Sequence, residues 1–156
     1  MTELEEGRLL RDCRWLCIQT ERCVSRRLAP MDITAVQAHI LLFLLWRGEK
    51  GTLLTDIHRS FGYSMPTLSC IVKRLREKGY IRAEHCRGDD RRRLLFATET
   101  ARLLQPELER SIGAVHRQLY DGFSPEELDT LDRLQQKLLR NLSPLMKETQ
   151  KEESKS

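Results

Sequence analysis

The chain has 156 residues, the length of one ordinary domain, and its 40% hydrophobic and 32% charged residues are typical of a folded globular protein. Its longest apolar run, Ile40 to Trp46, has seven residues, whereas a membrane-spanning helix needs roughly 20. Glu3, Glu5 and Glu6 stand where a secretory signal carries positive charge, so we expect a cytoplasmic protein with no membrane partner.

The net charge of +4 is concentrated in one segment of the chain. Residues 64–93 hold nine basic and four acidic side chains, while the rest of the chain holds 18 basic and 19 acidic ones. A segment with this excess of Lys and Arg is typical of a surface that binds a polyanion.

The cysteines argue against a disulfide framework and against a structural zinc module. Their number is odd, and no two of them form a Cys-x-x-Cys pair. We therefore expect mostly reduced thiols and no bound cofactor. The five residues are Cys13, Cys17, Cys23, Cys70 and Cys86.

The first predicted element is a helix from Glu3 to about Leu28. Helix-forming residues predominate there, and apolar positions recur at steps of three and four between Leu10 and Val24. The ring of Pro30 disfavours the α conformation at Ala29, so the helix should end before this pair.

Two shorter helices are predicted next. Thr34 and Gln37 have the spacing of a capping box, which predicts a helix from Ala35 to about Trp46. Its almost uniformly apolar sequence indicates the buried core helix of the fold. A short helix near Leu54 to Phe61 should end at Gly62, because glycine readily adopts the left-handed conformation that often terminates helices.

A fourth helix and a β-hairpin follow. Ser64 is suited to be the N-cap of this helix, and Pro66 is suited to its first turn, where a missing N–H costs little. Two segments with strand-like sequence, Tyr80–Cys86 and Arg92–Thr98, then flank a charged turn at residues 87–90.

Two more helices are predicted in the C-terminal part of the chain. The first runs from residue 98 or 99 to about Tyr120, and Pro106 inside it predicts a kink or a break one turn earlier. The second starts at Ser124-Pro125, a favourable pair of N-cap and first helical residue. It carries leucines at helical spacing: Leu128, Leu131, Leu134, Leu138, Leu142 and Leu145. Residues 147–156 contain no apolar side chain, which predicts a disordered tail.

The order of three helices followed by a hairpin with a basic turn is that of a winged helix-turn-helix. The sequences DIHRSFGYSMPTLS from Asp56, LREKGYIR from Leu75 and DDRR from Asp89 resemble the MarR family of bacterial transcriptional regulators. The resemblance implies a mainly α fold with a small β-hairpin. In that fold a winged unit at residues 30–98 is embedded between an N-terminal dimerisation helix at 1–29 and C-terminal dimerisation helices at 99–146.

By this resemblance the chain is a homodimeric, sequence-specific DNA-binding transcriptional regulator, expected to repress from a pseudo-palindromic operator in double-stranded DNA. A small-molecule effector or thiol oxidation is expected to modulate its DNA affinity. The alternative function is a winged-helix interaction module whose basic face binds an acidic protein partner. For the terminal helices, the alternative to a dimer is a cap folded back on a monomer.

The predicted DNA contacts lie on the fourth helix and on the hairpin, the wing. A helix can enter a major groove about 12 Å wide and present its N-terminal residues to base edges. Wing arginines resemble the family's contacts to the minor groove and the DNA backbone, with Asp90 expected to hold one of them in place. The predicted residues are Ser64, Met65, Pro66, Thr67, Ser69, Cys70, Lys73 and Arg76 on the helix, and Arg87, Arg91, Arg92 and Arg93 on the wing.

The resemblance also implies an effector pocket between the first helix, the second helix and the long helix after the wing. Its candidate lining residues are Trp15, His39, Trp46 and His116. The alternative is a core histidine with packing tryptophans. A metal site joining Cys17 or Cys23 to the two histidines has no tight ligand spacing, so no metal is predicted.

Cys13 and Cys17 lie four residues apart on one helical face and are redox candidates by resemblance. The alternative is that they serve as small hydrophobic residues. Enzymatic activity is not expected. His85 and Cys86 are adjacent on a predicted strand and point to opposite faces, so they cannot form a catalytic pair with each other.

Overall fold

The computed structural model describes residues 2–153, except the side chains of Asp90 and of residues 148–153. This part of the chain forms six α-helices and one two-stranded sheet. The helices are α1 (Glu3–Leu28), α2 (Ala35–Arg47), α3 (Leu54–Phe61), α4 (Met65–Glu77), α5 (Glu99–Leu119) and α6 (Pro125–Glu153), and the strands are β1 (Ile81–Cys86) and β2 (Asp89–Ala97). The predicted fold class, mainly α with a small β-hairpin, is confirmed.

Both α1 and α2 begin with a capping box. In α1 the Glu5 backbone N–H donates to Thr2 Oγ1 at 3.3 Å, and the Thr2 N–H donates to the Glu5 carboxylate at 2.7 Å. In α2 the corresponding bonds between Thr34 and Gln37 measure 3.3 Å and 3.0 Å. These bonds satisfy N–H groups that have no partner within the helix. The predicted box of α2 is confirmed, and that of α1 was not predicted.

The core is built around α2, as its apolar sequence predicts. Ile40, Leu41 and Leu44 are fully buried. The same buried cluster contains side chains from α1, α3, α4, both strands and α5, namely Val24, Leu28, Ile57, Leu68, Leu75, Ile81, Leu95, Leu108 and Ile112. One apolar core therefore fixes α4 and the hairpin relative to α1 and α2.

The helix-turn-helix consists of α3 and α4. Gly62 ends α3 with a left-handed φ of 73°, which glycine adopts without strain. Ser64 caps α4 by accepting a hydrogen bond from the backbone N–H of Thr67 at 3.3 Å, and Pro66 lies in the first turn. The predicted bounds of α3 and the predicted start of α4 are confirmed. The buried face of α4 consists of Leu68, Val72 and Leu75.

The wing is an antiparallel hairpin, as predicted, but its turn is shorter. The sequence predicted a turn at residues 87–90, whereas the structure has it at 87–88 and β2 begins at Asp89. Two features explain the difference. Gly88 has a φ of 81° and allows a tight turn, and the strand register shifts between His85 and Cys86.

The segment between α2 and α3 pairs with the base of the wing. The Thr52 N–H donates to the Leu95 carbonyl at 3.0 Å, and the Leu95 N–H donates to the Thr52 carbonyl at 2.9 Å. The preceding Gly51 has a φ of 65°, and a Cβ there would lie 2.7 Å from Cζ of Phe96. Glycine is therefore required at position 51 for this close approach.

In the C-terminal part, α5 runs as a single helix through Pro106, so the alternative of a break is not observed. The start of α6 is capped as predicted, because the Ser124 N–H donates to the Glu127 carboxylate at 2.8 Å and the Glu127 N–H donates to Ser124 Oγ at 3.2 Å. The chain forms two compact units that divide between Arg117 and Gln118.

The prediction of a disordered tail from Lys147 is wrong for residues 147–153, which continue α6. Lys, Glu and Gln are good helix formers, so a segment without apolar residues can still be helical. Residues 154–156 lie outside the described part of the chain. Within residues 2–153, none of the helices is by itself both long and apolar enough to cross a membrane.

Candidate nucleic-acid interface

All the residues predicted to contact DNA are exposed. Because an α-helix has 3.6 residues per turn, the positions of α4 that bury Leu68, Val72 and Leu75 leave the opposite side of the helix open to solvent. The predicted contact residues, all exposed, are Ser64 at the cap of α4, Met65, Pro66, Thr67, Ser69, Cys70, Lys73 and Arg76 on α4, and Arg87, Arg91, Arg92 and Arg93 on the wing.

Seven of these side chains line one groove between α4 and the wing. The groove has a volume of about 470 Å³ and an apolar floor that includes Val72, Ala83 and Leu95. Among the side chains that the structure describes, the lining includes five basic ones and no acidic one, and together they give the groove a positive potential. We call it the basic groove. The seven predicted residues are Met65, Ser69, Lys73 and Arg76 of α4 and Arg91, Arg92 and Arg93 of β2.

The other predicted residues are exposed but do not line the basic groove. They are Ser64, Pro66, Thr67, Cys70 and Arg87. Conversely, Leu53, Leu54 and Thr55 at the start of α3 line the groove and were missed. Their only sequence signal was their place at the start of the helix before α4, because they carry no charge.

The wing arginines Arg91, Arg92 and Arg93 all line the basic groove. They follow Asp89 where the strand register is irregular, because His85 pairs with Arg93 and the next residue, Cys86, pairs with Asp89, so regular alternation does not place them. The Arg91 N–H donates to Asp89 Oδ1 at 3.0 Å, which fixes the backbone at the start of β2. The side chain of Asp90, predicted to hold an arginine in place, lies outside the described residues.

Lys78 and Arg82 of the 64–93 segment contact other side chains of the protein. Lys78 Nζ lies 2.8 Å from Oδ2 of Asp32, and this hydrogen bond and the lysine charge lower the pKa of Asp32. Arg82 pairs with Glu84, and its guanidinium lies 4.3 Å from the centroid of the Phe96 ring. These contacts hold the ends of β1 and α4 in place.

The basic residues of α4 are more loosely held. Lys73 Nζ lies 4.0 Å from Oε1 of Glu77, and both side chains are largely exposed. An exposed pair of this kind contributes little and is screened by salt, so Lys73 remains available to an anion. Lys73 and Arg76 also line a second groove of about 490 Å³ on the side of Ile81 and Arg82. They therefore stand on the ridge between two grooves.

Tyr63, in the turn before α4, connects this turn to α1. Its hydroxyl donates to Oε1 of Glu21 at 2.7 Å, and its backbone carbonyl accepts from Nδ1 of His58 at 2.6 Å. Burial, and then the hydrogen bond to Glu21, raise the pKa of Tyr63, so the hydroxyl keeps the proton that it donates. Sequence reasoning missed this contact, because 42 residues separate its partners.

The predicted effector-pocket residues are only partly brought together. Trp15 and Trp46 are 64% and 71% exposed. His39 and His116 are half-buried, and the pKa of His39 is lowered by burial and then by the nearby charge of His116. Neither the basic groove, nor the groove beside it, nor the small cavity at Leu44 and Phe96 is lined by any of these four residues. The effector pocket remains a prediction.

The five cysteines form no disulfide with one another within the described residues. Cys13 and Cys17 are exposed on α1, and Cys23 and Cys70 are exposed as well, whereas Cys86 is half-buried. A redox role for Cys13 and Cys17 remains a prediction. In the described part of the chain, no group of three or more His, Cys, Asp or Glu side chains is arranged to hold a metal ion.

The helix-turn-helix, the hairpin and the groove between them define a winged helix-turn-helix protein. The sequence profile of the MarR family matches residues 31–92. The chain is therefore similar in sequence to the MarR family over α2, its helix-turn-helix and the first strand of its wing.

Three solved structures share the fold over most of the chain. A mutant MarR from E. coli complexed with operator DNA is 21% identical, with a TM-score of 0.76, over 89% of this chain and 99% of that one. The MepR–DNA complex from S. aureus is 22% identical, with a TM-score of 0.75, over 91% and 99%. A MarR transcriptional regulator from Methanosarcina mazei Go1 is 16% identical, with a TM-score of 0.77, over 88% and 98%.

Proposed function

We propose that this chain is a DNA-binding transcriptional regulator that contacts double-stranded DNA through α4 and the wing. The observation that carries the proposal is the basic groove, whose lining brings together five basic side chains of α4 and the wing. The match of residues 31–92 to the MarR-family profile supports the proposal, and so does the shared fold with the E. coli and S. aureus proteins, which were solved as complexes with DNA.

The geometry of α4 suits a major groove. A helix with its side chains is about 10–12 Å across and the groove is about 12 Å wide, so one exposed helix face fills it. The first turn of α4 exposes Met65 and Thr67, which would meet base edges. Arg92 on the wing would contact the phosphate backbone or the minor groove beside it.

We further propose a homodimer formed through α1 and α6. Leu134, Leu138 and Leu142 lie one turn apart on α6 and are 47% to 58% exposed. We call these three residues the leucine face. An apolar stripe of this length on a soluble protein marks an interaction surface. In a two-fold dimer, the two copies of α4 would lie about 34 Å apart, one turn of DNA, and read a pseudo-palindrome.

The regulation that we propose is repression that is relieved by a signal. The signal is a small molecule bound near His39 and His116, or oxidation of Cys13 or Cys17. The half-buried histidine pair and the exposed thiols of α1 support these two routes. Both lie on helices that share the core with α4, so a change there has a path to the DNA-binding side.

The proposal is tested by titrating the full chain against labelled duplex DNA of random sequence at several salt concentrations. We expect the logarithm of the binding constant to fall linearly with the logarithm of the salt concentration, as phosphate contacts require. Repeated selection from a random duplex pool should then enrich a pseudo-palindrome. An absence of duplex binding at low salt would overturn the proposal and favour the interaction module that binds an acidic protein.

A further inference from the structure

One face of α1 holds the starts of two other helices. Ser25 Oγ accepts a hydrogen bond from the Ala35 N–H, the first residue of α2, at 2.8 Å. Glu21 accepts the bond from Tyr63, just before α4, at 2.7 Å. Glu21 and Ser25 are four residues apart and therefore lie on the same face of α1. A change in the position of α1 would therefore act, through these two hydrogen bonds, on the start of α2 and on the turn before α4.

Tyr63 is held on two sides within a very short turn. Gly62 and Ser64 flank it, and Ser64 is the N-cap of α4. Its carbonyl is bonded to His58, and its ring stacks on Phe61 with centroids 6.4 Å apart, so the backbone and ring are fixed to α3. Its hydroxyl alone extends to Glu21 of α1. A shift of α1 relative to α3 would therefore act on the residue next to the cap of α4.

The bond is of a kind that is not easily exchanged for water. Tyr63 and Glu21 are both half-buried. The donor is a neutral hydroxyl and the acceptor is a carboxylate, and hydrogen bonds with one ionised partner are about twice as strong as neutral ones. The raised pKa of Tyr63 agrees with a hydroxyl that remains a donor.

We propose that Tyr63 is a positioning residue for DNA recognition, and that its hydrogen bond to Glu21 fixes the direction in which α4 enters the major groove. The inference rests on the proposed function. Tyr63 acts through Ser64 and the first turn of α4 rather than by touching DNA. The bond therefore matters most for reading bases, which needs an accurately placed first turn, and less for binding that rests on phosphate contacts alone, because those contacts carry no sequence information.

Tyr63→Phe tests the inference, because it removes the hydroxyl and keeps the ring stacked on Phe61. The probes are the duplex that the wild-type protein selects from a random pool and a scrambled duplex of the same composition. We expect the Kd for the selected duplex to rise about three- to tenfold, as the population with a correctly directed α4 falls. The Kd for the scrambled duplex and the salt slope should stay at their wild-type values.

The matched control is Tyr80→Phe, which removes a hydroxyl from a half-buried tyrosine at the opposite end of α4. It should leave the ratio of the two Kd values unchanged. On the side of the acceptor, Glu21→Gln retains an oxygen that accepts the bond and should keep most of the discrimination, whereas Glu21→Ala should match Tyr63→Phe. The double variant Tyr63→Phe/Glu21→Ala should be no worse than either single variant, because both remove one bond.

The outcomes separate this inference from the proposed function. If the wild-type protein selects no duplex, the proposed function and the inference are both wrong. If it selects one and Tyr63→Phe discriminates as well as wild type, only the inference is wrong, whatever the change in melting temperature. An equal loss on both duplexes would also overturn it. If circular dichroism shows that Tyr63→Phe does not fold, the two Kd values are compared for Glu21→Gln and Glu21→Ala instead. Equal discrimination by these two variants would then contradict the inference.

Discussion

Two exposed surfaces of this chain, the basic groove and the leucine face, differ in composition. The basic groove surrounds an apolar floor with five basic side chains. The leucine face presents one leucine per helical turn with no charge among its members. Exposure alone therefore does not identify a partner. The charge of the first surface favours a polyanion, and the apolar character of the second favours another protein surface.

The largest expected effect comes from a charge in the leucine face. Leu138→Glu would place a carboxylate in the proposed contact between two copies of α6, so we expect a monomer at micromolar concentration. Affinity for the selected duplex should fall by about 10²-fold or more, because the two half-sites are then bound independently. Sedimentation velocity and DNA titration measure the two effects.

The control is Leu103→Glu, because Leu103 is 75% exposed on α5 and lies outside the leucine face. It should remain dimeric and should bind DNA like wild type. A Leu138→Glu protein that sediments as a dimer at micromolar concentration would contradict the proposal that the leucine face forms the dimer contact.

A bulky group on the DNA-binding side gives the next largest effect. Cys70 is exposed on α4, close in sequence to Ser69 and Lys73 of the basic groove. We expect alkylation of Cys70 to abolish DNA binding and to leave the dimer folded, because the added group would meet the duplex. Cys70→Ser, treated with the same reagent, should keep its affinity.

The treated proteins distinguish two ways in which this expectation fails. Equal loss of binding by wild type and Cys70→Ser would assign the effect to another of the exposed cysteines. Full affinity of a protein labelled at Cys70 alone would mean that this side of α4 does not face DNA.

A substitution of His39 alters neither the basic groove nor the leucine face, so a smaller effect is expected from it. Its pKa is lowered from 6.5 by burial, then by the charge of His116, while Glu21 acts in the opposite sense. Between the lowered value and 6.5 the unfolded chain binds more protons than the folded protein. The free energy of unfolding should therefore fall as the pH drops below 6.5 and through the lowered pKa.

Urea unfolding on both sides of pH 6.5 measures this effect. His39→Gln should make the pH dependence shallower, and its affinity for DNA at neutral pH should match that of wild type. An unchanged pH dependence would mean that His39 is equally easy to protonate in the folded and unfolded chains.

Sequence patterns predicted most of the local structure because its causes are local. The Thr34–Gln37 capping box and the glycine at the end of α3 are both decided within a few residues. The wing turn was predicted too long, since a register shift between His85 and Cys86 depends on pairing with the other strand. The prediction of a disordered tail was wrong for another reason. Absence of apolar residues was taken to mean disorder, although Lys147 and the residues after it favour a helix.

The candidate site was predictable where it is charged. The arginines and lysines of residues 64–93 stand out in the sequence, and seven predicted residues do line the basic groove. Leu53 and Leu54 were missed because an apolar residue at a groove edge has no distinguishing pattern. The bond from Tyr63 to Glu21 was missed because only the tertiary fold brings its partners together.

The central claim, that duplex DNA binds in the basic groove, is tested most directly by comparing two arginines. Arg92 and Arg74 are both exposed in the basic segment, and only Arg92 lines the groove. Arg92→Ala and Arg74→Ala each remove one positive charge, so long-range attraction changes equally. Binding to random duplex DNA is then measured at several salt concentrations. We predict that Arg92→Ala weakens binding and lowers the magnitude of the salt slope by about one, while Arg74→Ala keeps the wild-type slope. Equal salt slopes for Arg92→Ala and Arg74→Ala would contradict the claim that duplex DNA binds in the basic groove.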